Sequence, residues 1–219
     1  MSIESPVALY SRRTALYESL IRYVGYRNGI EKVFRTKVAH ALLPRARVLD
    51  AGCGAGAVTF ALLEAYDRLA VPAGRVDGFD ITPKMLQRFK ENLRSNRETR
   101  VRVVQADVLD LGSSLPADWA AYDLIVSSGM LEYVPRDRLS EALASLRRRL
   151  GPEGCLLLFI SRKGLFNQLA MKHWWQANCY DAAELEFALC TAGFTSIAFH
   201  RFPAPHAFLN SWGWSVEAR

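Results

Sequence analysis

The stretch Val48-Leu-Asp-Ala-Gly-Cys-Gly-Ala-Gly56 sets three glycines at the exit of a short apolar run, Arg47–Ala51. A segment with helical character, Gly56–Arg68, follows directly. Glycine in that place lets a chain turn tightly from strand to helix and lets a ligand come close to the peptide groups. With Ala57 the run also satisfies the relaxed dinucleotide pattern Gly-x-Gly-x-x-Ala. The glycines therefore announce a turn and leave its ligand open, and a tight turn with no ligand would use the same residues.

Further along the chain, strands and helices alternate. Arg75–Phe79, Val101–Gln105, Ala121–Ser127 and Gly154–Ile160 read as four further short strands. A helix from Pro83 to about Ser95 starts with Thr82 at its N-cap and proline in the first turn, and another spans about Asp137 to Leu150. This order predicts an α/β fold whose first five strands run parallel in one sheet. The unbroken apolar run Cys155–Ile160 suits a strand buried on both faces. Beyond it comes an irregular stretch, Ser161–Tyr180. Asp181-Ala-Ala-Glu184 then opens a helix as a capping box, and Gly193 closes it. Ser196–His200 and Phe208–Val216 are the last strand candidates. Upstream, residues 7–43 read as two helices, broken at Gly25 and Asn28-Gly29 and ended by Pro44. Tyr10, Tyr17 and Val24 recur every seven residues and share one helical face. The expected organisation is a helical cap or lid over 1–44 and a ligand-binding domain over 45–219, together one globular unit.

Three acids narrow the ligand. Asp50 precedes the glycines at the end of the first strand, where a carboxylate would repel a pyrophosphate and suit an ammonium group. Asp80 ends the second strand, in position to accept hydrogen bonds from ribose hydroxyls. Asp107 follows the third strand and can accept from an exocyclic adenine amine. All three stand at carboxyl ends of strands, where open α/β sheets bind their ligands.

These residues resemble a known family. Val48–Gly56 is similar to motif I of the class I S-adenosylmethionine-dependent methyltransferases, and Gly78-Phe-Asp-Ile-Thr-Pro-Lys-Met-Leu86 to their second motif. Gln105-Ala-Asp-Val108 resembles the third, Tyr122–Val134 the fourth, and Leu150-Gly-Pro-Glu-Gly154 the turn that follows. The resemblance covers about residues 45–160. It implies a Rossmann-like, mainly parallel seven-stranded sheet in the order 3-2-1-4-5-7-6, with Phe208–Val216 as the antiparallel seventh strand. It implies S-adenosylmethionine as cofactor and S-adenosylhomocysteine as product. Asp50, Gly52, Cys53, Gly54 and Gly56 would hold the methionine part and Asp80 the ribose. Ile81 and Met85 would pack on the adenine, Asp107 and the Val108 amide would hold its edge, and Ser127 or Ser128 would lie beside the sulfonium. Tyr17 is a candidate lid residue over the cofactor.

Methyl transfer is a direct displacement, so the protein must above all align the nucleophile and exclude water. Glu132 and Tyr133, just after the fourth strand, and His173 are candidates to take a proton or orient a substrate. Phe166, Trp174 and Trp175 are candidate substrate contacts, with packing as the alternative role. The Asn-Pro-Pro-Tyr signature of amino-group methylation on bases and glutamine is absent; that position reads Ser127-Ser-Gly-Met130. The expected acceptor is accordingly a small, partly apolar metabolite. RNA or protein methylation, an NAD(P)-dependent oxidoreductase and a non-catalytic cofactor-binding module are the alternatives.

Composition is ordinary for a globular protein: 219 residues, half hydrophobic and 23% charged. The net charge of +6 is spread along the chain, and its densest cluster, Arg147-Arg148-Arg149, falls at a helix end, so nucleic acid is not the expected partner. The four cysteines form no Cys-x-x-Cys pair and no histidine stands at zinc-finger spacing, so no metal is expected. No apolar run is long enough to span a bilayer, and Met1–Pro6 shows no basic stretch leading into an apolar one. The expected compartment is the cytoplasm.

Overall fold

The computed structural model describes residues 25–164 and 177–219. Seven strands form one sheet: β1 Val48–Ala51, β2 Val76–Asp80, β3 Val101–Gln105, β4 Tyr122–Ser128, β5 Leu150–Ser161, β6 Ile197–His200 and β7 Gly213–Ala218. Their order is β3-β2-β1-β4-β5-β7-β6. The first five strands run parallel, and β7 runs antiparallel to both β5 and β6. This is the Rossmann-like α/β sheet expected from the sequence.

β1 sits at the centre, with all four of its residues buried. Its neighbours β2 and β4 pair with it residue for residue, so Ala51 stands beside Phe79 on one side and Ser127 on the other. The helices are α1 Tyr26–Thr36, α2 Ala57–Arg68, α3 Pro83–Ser95, the short α4 Leu111–Ser114, α5 Leu139–Arg147 and α6 Ala182–Thr191. α1 and α2 bury one core with Val48, Val126, Leu157 and Phe159 of the sheet; α5 and α6 bury another with Leu49, Ile125, Leu158 and Ile160. Alternate strand residues therefore serve opposite cores, as a period of two requires. On α1, Ile30, Val33 and Phe34 form a stripe at helical spacing and are fully buried. Each such side chain contributes about 1.5–3 kcal/mol of transfer free energy.

Three expectations are corrected here. Asn28-Gly29 does not break a helix but lies inside α1. A side chain at Gly29 would meet Leu209 and His206, so the glycine serves close packing of α1 on the C-terminal segment. Helix α1 also ends at Thr36, ahead of Pro44, with a short 3-10 turn at Ala39–Ala41 between them. Nor is Phe208–Val216 a continuous strand: His206–Ser211 forms a 3-10 helix whose Leu209 is buried against α1, and β7 starts only at Gly213. Other signals fall where expected. Asp181 and Glu184 make the reciprocal capping box at 2.9 and 2.8 Å, and Gly193 closes α6 at φ 93°.

Gly56 holds the junction of turn and helix. It caps α2 at φ 94°, and any Cβ there would fall within the ring of Phe89 on α3. Phe89 is fully buried and meets Phe60 of α2 edge-on at 5.9 Å. Gly56→Ala is expected to combine left-handed strain of about 1–2 kcal/mol with overpacking of about 1–3 kcal/mol. Urea unfolding should show a matching loss of stability; an unchanged midpoint would mean that Phe89 has room to retreat.

Candidate functional site

The turn after β1 is tied to the end of β2. Gly52 N and Cys53 N both donate to Phe79 O, at 2.8 and 2.9 Å. Gly54 N donates to Asp80 Oδ2 at 2.9 Å, and Thr82 N donates to Asp80 Oδ1 at 2.8 Å. Gly52, Gly54 and Gly56 all have positive φ. At Gly52 a Cβ would overlap Met130, which follows β4, so this turn can pass the end of β4 only as glycine.

Burial raises the Asp80 carboxyl above its ordinary range, although both of these amides pull it down. Asp50 is buried behind the turn and accepts a short hydrogen bond from Thr59 Oγ of α2. Desolvation pushes its pKa up to about 7, against the lowering effect of that hydroxyl. Asp107 caps the 3-10 turn after β3 by accepting from Leu109 N at 2.9 Å.

A cleft of about 550 Å³ opens over these strand ends. Of the candidates from sequence, Gly52, Cys53, Gly54, Asp80, Ile81, Met85, Ser128 and Tyr133 line it. Asp50, Gly56, Asp107, Val108, Ser127 and Glu132 stand behind or beside it and do not line it. Ser127 is fully buried, and its hydroxyl has no hydrogen-bond partner among the described residues. Tyr17, Phe166, His173, Trp174 and Trp175 lie outside the described residues.

Glu132 is buried and does not line the cleft. Its carboxylate accepts from Ser161 N at 3.2 Å and Ser161 Oγ at 2.9 Å, and its carbonyl accepts from Asn178 N at 2.8 Å. It thus fastens the loop after β4 to the end of β5. Burial raises its pKa from 4.5 to about 7, partly offset by the two Ser161 donors.

Other lining residues escaped the sequence reading. Gly25, Tyr26, Arg27 and Asn28 form one wall of the cleft, and Phe60, Arg88 and Asn92 form part of another. Tyr26 Oη and Ser128 Oγ are 2.8 Å apart, across a sequence separation of 102 residues. No local signal announces that pair; it exists because α1 packs beside the end of β4. Asn92 steadies the turn by donating to Ala55 O at 3.0 Å.

A mainly parallel sheet in this order, with a glycine turn and acids at its strand ends, defines a Rossmann-like nucleoside-binding architecture. Residues 48–154 match the family model described as a methyltransferase domain. Those residues, just under half of the chain, thus resemble a methyltransferase domain, carried on a Rossmann-like sheet. Among its relatives is a malonyl-[acyl-carrier protein] O-methyltransferase of Geobacter sulfurreducens, 26% identical over 72% of this chain and 55% of the relative. A trans-aconitate 2-methyltransferase of Methylobacterium nodulans is 34% identical over 56% of this chain and 43% of the relative. The chain thus spans about half the length of these curated relatives. The magnesium protoporphyrin IX methyltransferase of Synechocystis PCC 6803, solved with bound S-adenosylmethionine, shares the fold at a TM-score of 0.65 and 22% identity. That alignment covers 89% of this chain and 79% of the other. Among the described residues no helix is long and apolar enough to cross a membrane, and no cluster of three histidine, cysteine or acidic side chains could hold a metal.

Glu132 generates a pH prediction. Its folded pKa lies above its unfolded one, so its stabilising contribution is complete below about pH 4.5 and is lost as pH rises through about 7. The loss amounts to roughly 3 kcal/mol at 1.36 kcal/mol per unit. Chemical denaturation of Glu132→Gln should show about 2 kcal/mol less decline between pH 5 and pH 8 than the parent chain. Parallel pH profiles for the two would exclude Glu132 as the titrating group.

Proposed function

We propose that this protein is a methyltransferase that uses S-adenosylmethionine to methylate a small, partly apolar molecule, and that the cleft over the ends of β1, β2 and β4 is its active site. The observation that carries the reading is the joint geometry of the glycine turn and Asp80 on one cleft wall. The residues fit the cofactor. The turn leaves Cβ-free backbone facing the cleft at Gly52 and Gly54, and Asp80 supplies acceptors for vicinal hydroxyls. The cleft volume falls in the range of roughly 300–1,000 Å³ usual for small-molecule sites. When bound, the cofactor supplies a methyl group on a positively charged sulfur.

In this reading Asp80 binds the ribose, and Ile81 and Met85 pack on the adenine. Asp107 and the Val108 amide hold the adenine edge. Gly52, Cys53, Gly54 and Gly56 receive the methionine part, with Asp50 behind them as the counter-charge for its ammonium group. Ser128 and the buried Ser127 flank the sulfur position. Tyr133 orients the acceptor from the cleft wall. Glu132 holds the loop that carries Tyr133, because its carboxylate is committed to Ser161. Residues 1–44 are assigned to a cap over the cleft; of its described residues, 25–44, Gly25–Asn28 line it. Tyr17 in that cap, and His173, Phe166, Trp174 and Trp175 after β5, remain assigned to covering the site and contacting the acceptor.

The relatives' names support a small-molecule acceptor, since both describe methylation of small acids or their carrier-bound forms. The cytoplasm is the proposed compartment. Cys53, Cys155, Cys179 and Cys190 are all free thiols, as a reducing compartment favours.

Two measurements test the reading. Calorimetric titration with S-adenosylhomocysteine should show binding, and Asp80→Ala should weaken it by about 1–3 kcal/mol, the worth of charged acceptors for the ribose hydroxyls. An unchanged affinity would move the ribose elsewhere. The affinity should also depend on pH. An ammonium group beside Asp50 favours the ionised carboxylate, so binding should strengthen as pH rises through about 7 and level off above it. Asp50→Asn should flatten that profile; a pH-independent parent enzyme would count against the Asp50 assignment.

A further inference from the structure

A threonine inside a helix can bond back to a carbonyl of its own preceding turn. Thr59, in the first turn of α2, instead donates its Oγ1 hydroxyl to Asp50 Oδ2 at 2.5 Å, reaching a side chain nine residues back on β1. Both residues are buried. The Thr59 amide acts on the carboxylate in the same direction as the hydroxyl. Helix α2 starts from Gly56, which has no side chain to cap the first amides. The Asp50 carboxylate stands at that end of the helix instead, where the dipole favours a negative charge.

Asp50 is pulled in two directions. Burial is the largest influence and drives it toward the neutral acid, and the Asp80 carboxylate on β2 adds repulsion. The Thr59 hydroxyl and amide oppose both. The glycine turn contributes Cys53, a thiol that burial and these two acids keep protonated. The neighbours of Asp50 in the sheet, Gly78 on β2 and Val126 on β4, carry no charge. Among the described residues that act on Asp50, none is a cation. A donor bonds an ionised carboxylate about twice as strongly as a neutral acceptor, so the Thr59 bond favours the charged form.

We propose that Thr59 is a positioning residue for cofactor binding: its hydroxyl holds Asp50 ionised and so sets the pH range over which the cofactor's ammonium group is received. This deepens the proposed function and rests on its assignment of Asp50. Thr59 does not line the cleft; it acts through Asp50. With the hydroxyl in place, Asp50 is half ionised at about pH 7. Without it, the Thr59 amide alone opposes burial and Asp80, and the neutral acid persists to higher pH. A neutral acid offers the ammonium group no counter-charge, so binding weakens wherever the carboxyl stays protonated.

The test titrates the full chain with S-adenosylhomocysteine calorimetrically from pH 6 to pH 8.5, for the parent, Thr59→Val and Thr59→Ser. Valine keeps the branched shape and removes the hydroxyl. One lost hydrogen bond to a charged group should move the midpoint of the pH profile up by about one unit. Thr59→Val should therefore bind about fivefold more weakly than the parent at pH 7, with the gap closing toward pH 8.5. Thr59→Ser restores the hydroxyl and should follow the parent. The neutral ligand 5′-methylthioadenosine lacks the ammonium group and should bind parent and Thr59→Val alike. Thr59→Ala repeats the comparison if the valine variant does not fold. A gap that stays constant across the pH range, an equal gap with 5′-methylthioadenosine, or a profile that matches the parent's would each overturn the proposal. A parent with no pH dependence would instead remove the Asp50 assignment beneath it, and failure of S-adenosylhomocysteine to bind would remove the cofactor reading itself.

Discussion

The backbone of Gly52–Gly54, hydrogen-bonded to the end of β2, is the constraint on which the rest of the site depends. Two amides share Phe79 O, and a third reaches the Asp80 carboxylate. This clasp draws the ends of β1 and β2 together, while the absence of a side chain at Gly52 lets Met130 close in from the end of β4. Three strand ends thus meet at a single turn. Helix α2 departs from it through Gly56, whose left-handed backbone and contact with Phe89 exclude any other residue without strain.

Electrostatics in this region follow from burial more than from charge pairing. Asp50, Asp80 and Glu132 all stand in low-dielectric surroundings, and desolvation is the largest influence on each of them. Each nevertheless has hydrogen-bond donors: Thr59 for Asp50, the Gly54 and Thr82 amides for Asp80, and Ser161 for Glu132. The site is therefore held by carboxylates whose ionisation costs free energy in the ligand-free fold. A bound cation near Asp50 would reduce that cost, which couples ligand charge to protonation.

Much of the framework was readable in the sequence, because the relevant signals are local. The alternation of apolar runs and helical segments, the glycines after Ala51, Pro83 at a helix start and the Asp181–Glu184 box each act within one turn or one strand. The misreadings occur where a distant partner overrides a local preference. Asn28-Gly29 carries a strong turn signal, yet it stays helical because α1 lies close against Leu209 and His206. The apolar residues from Phe208 onward read as strand, yet Leu209 is needed beneath α1, so the chain coils there and extends only from Gly213.

The sequence by itself determined the alternation of strands and helices, the glycine turn and the three acids at strand ends, since periodicity and turn chemistry act over a few residues; the strand order was only implied by the family resemblance. Only the tertiary structure decided which of those residues face the cleft. Asp80 lines it while Asp50 is sealed behind it, because Asp50 pairs with Gly78, two residues short of the strand end where Asp80 stands. Ser128 lines it while Ser127 is buried, because neighbouring strand residues point to opposite faces. It also decided that Glu132 turns toward Ser161 and that Tyr26 meets Ser128. Both contacts join segments far apart in the chain, and only the docking of whole elements on the sheet brings them within hydrogen-bond reach.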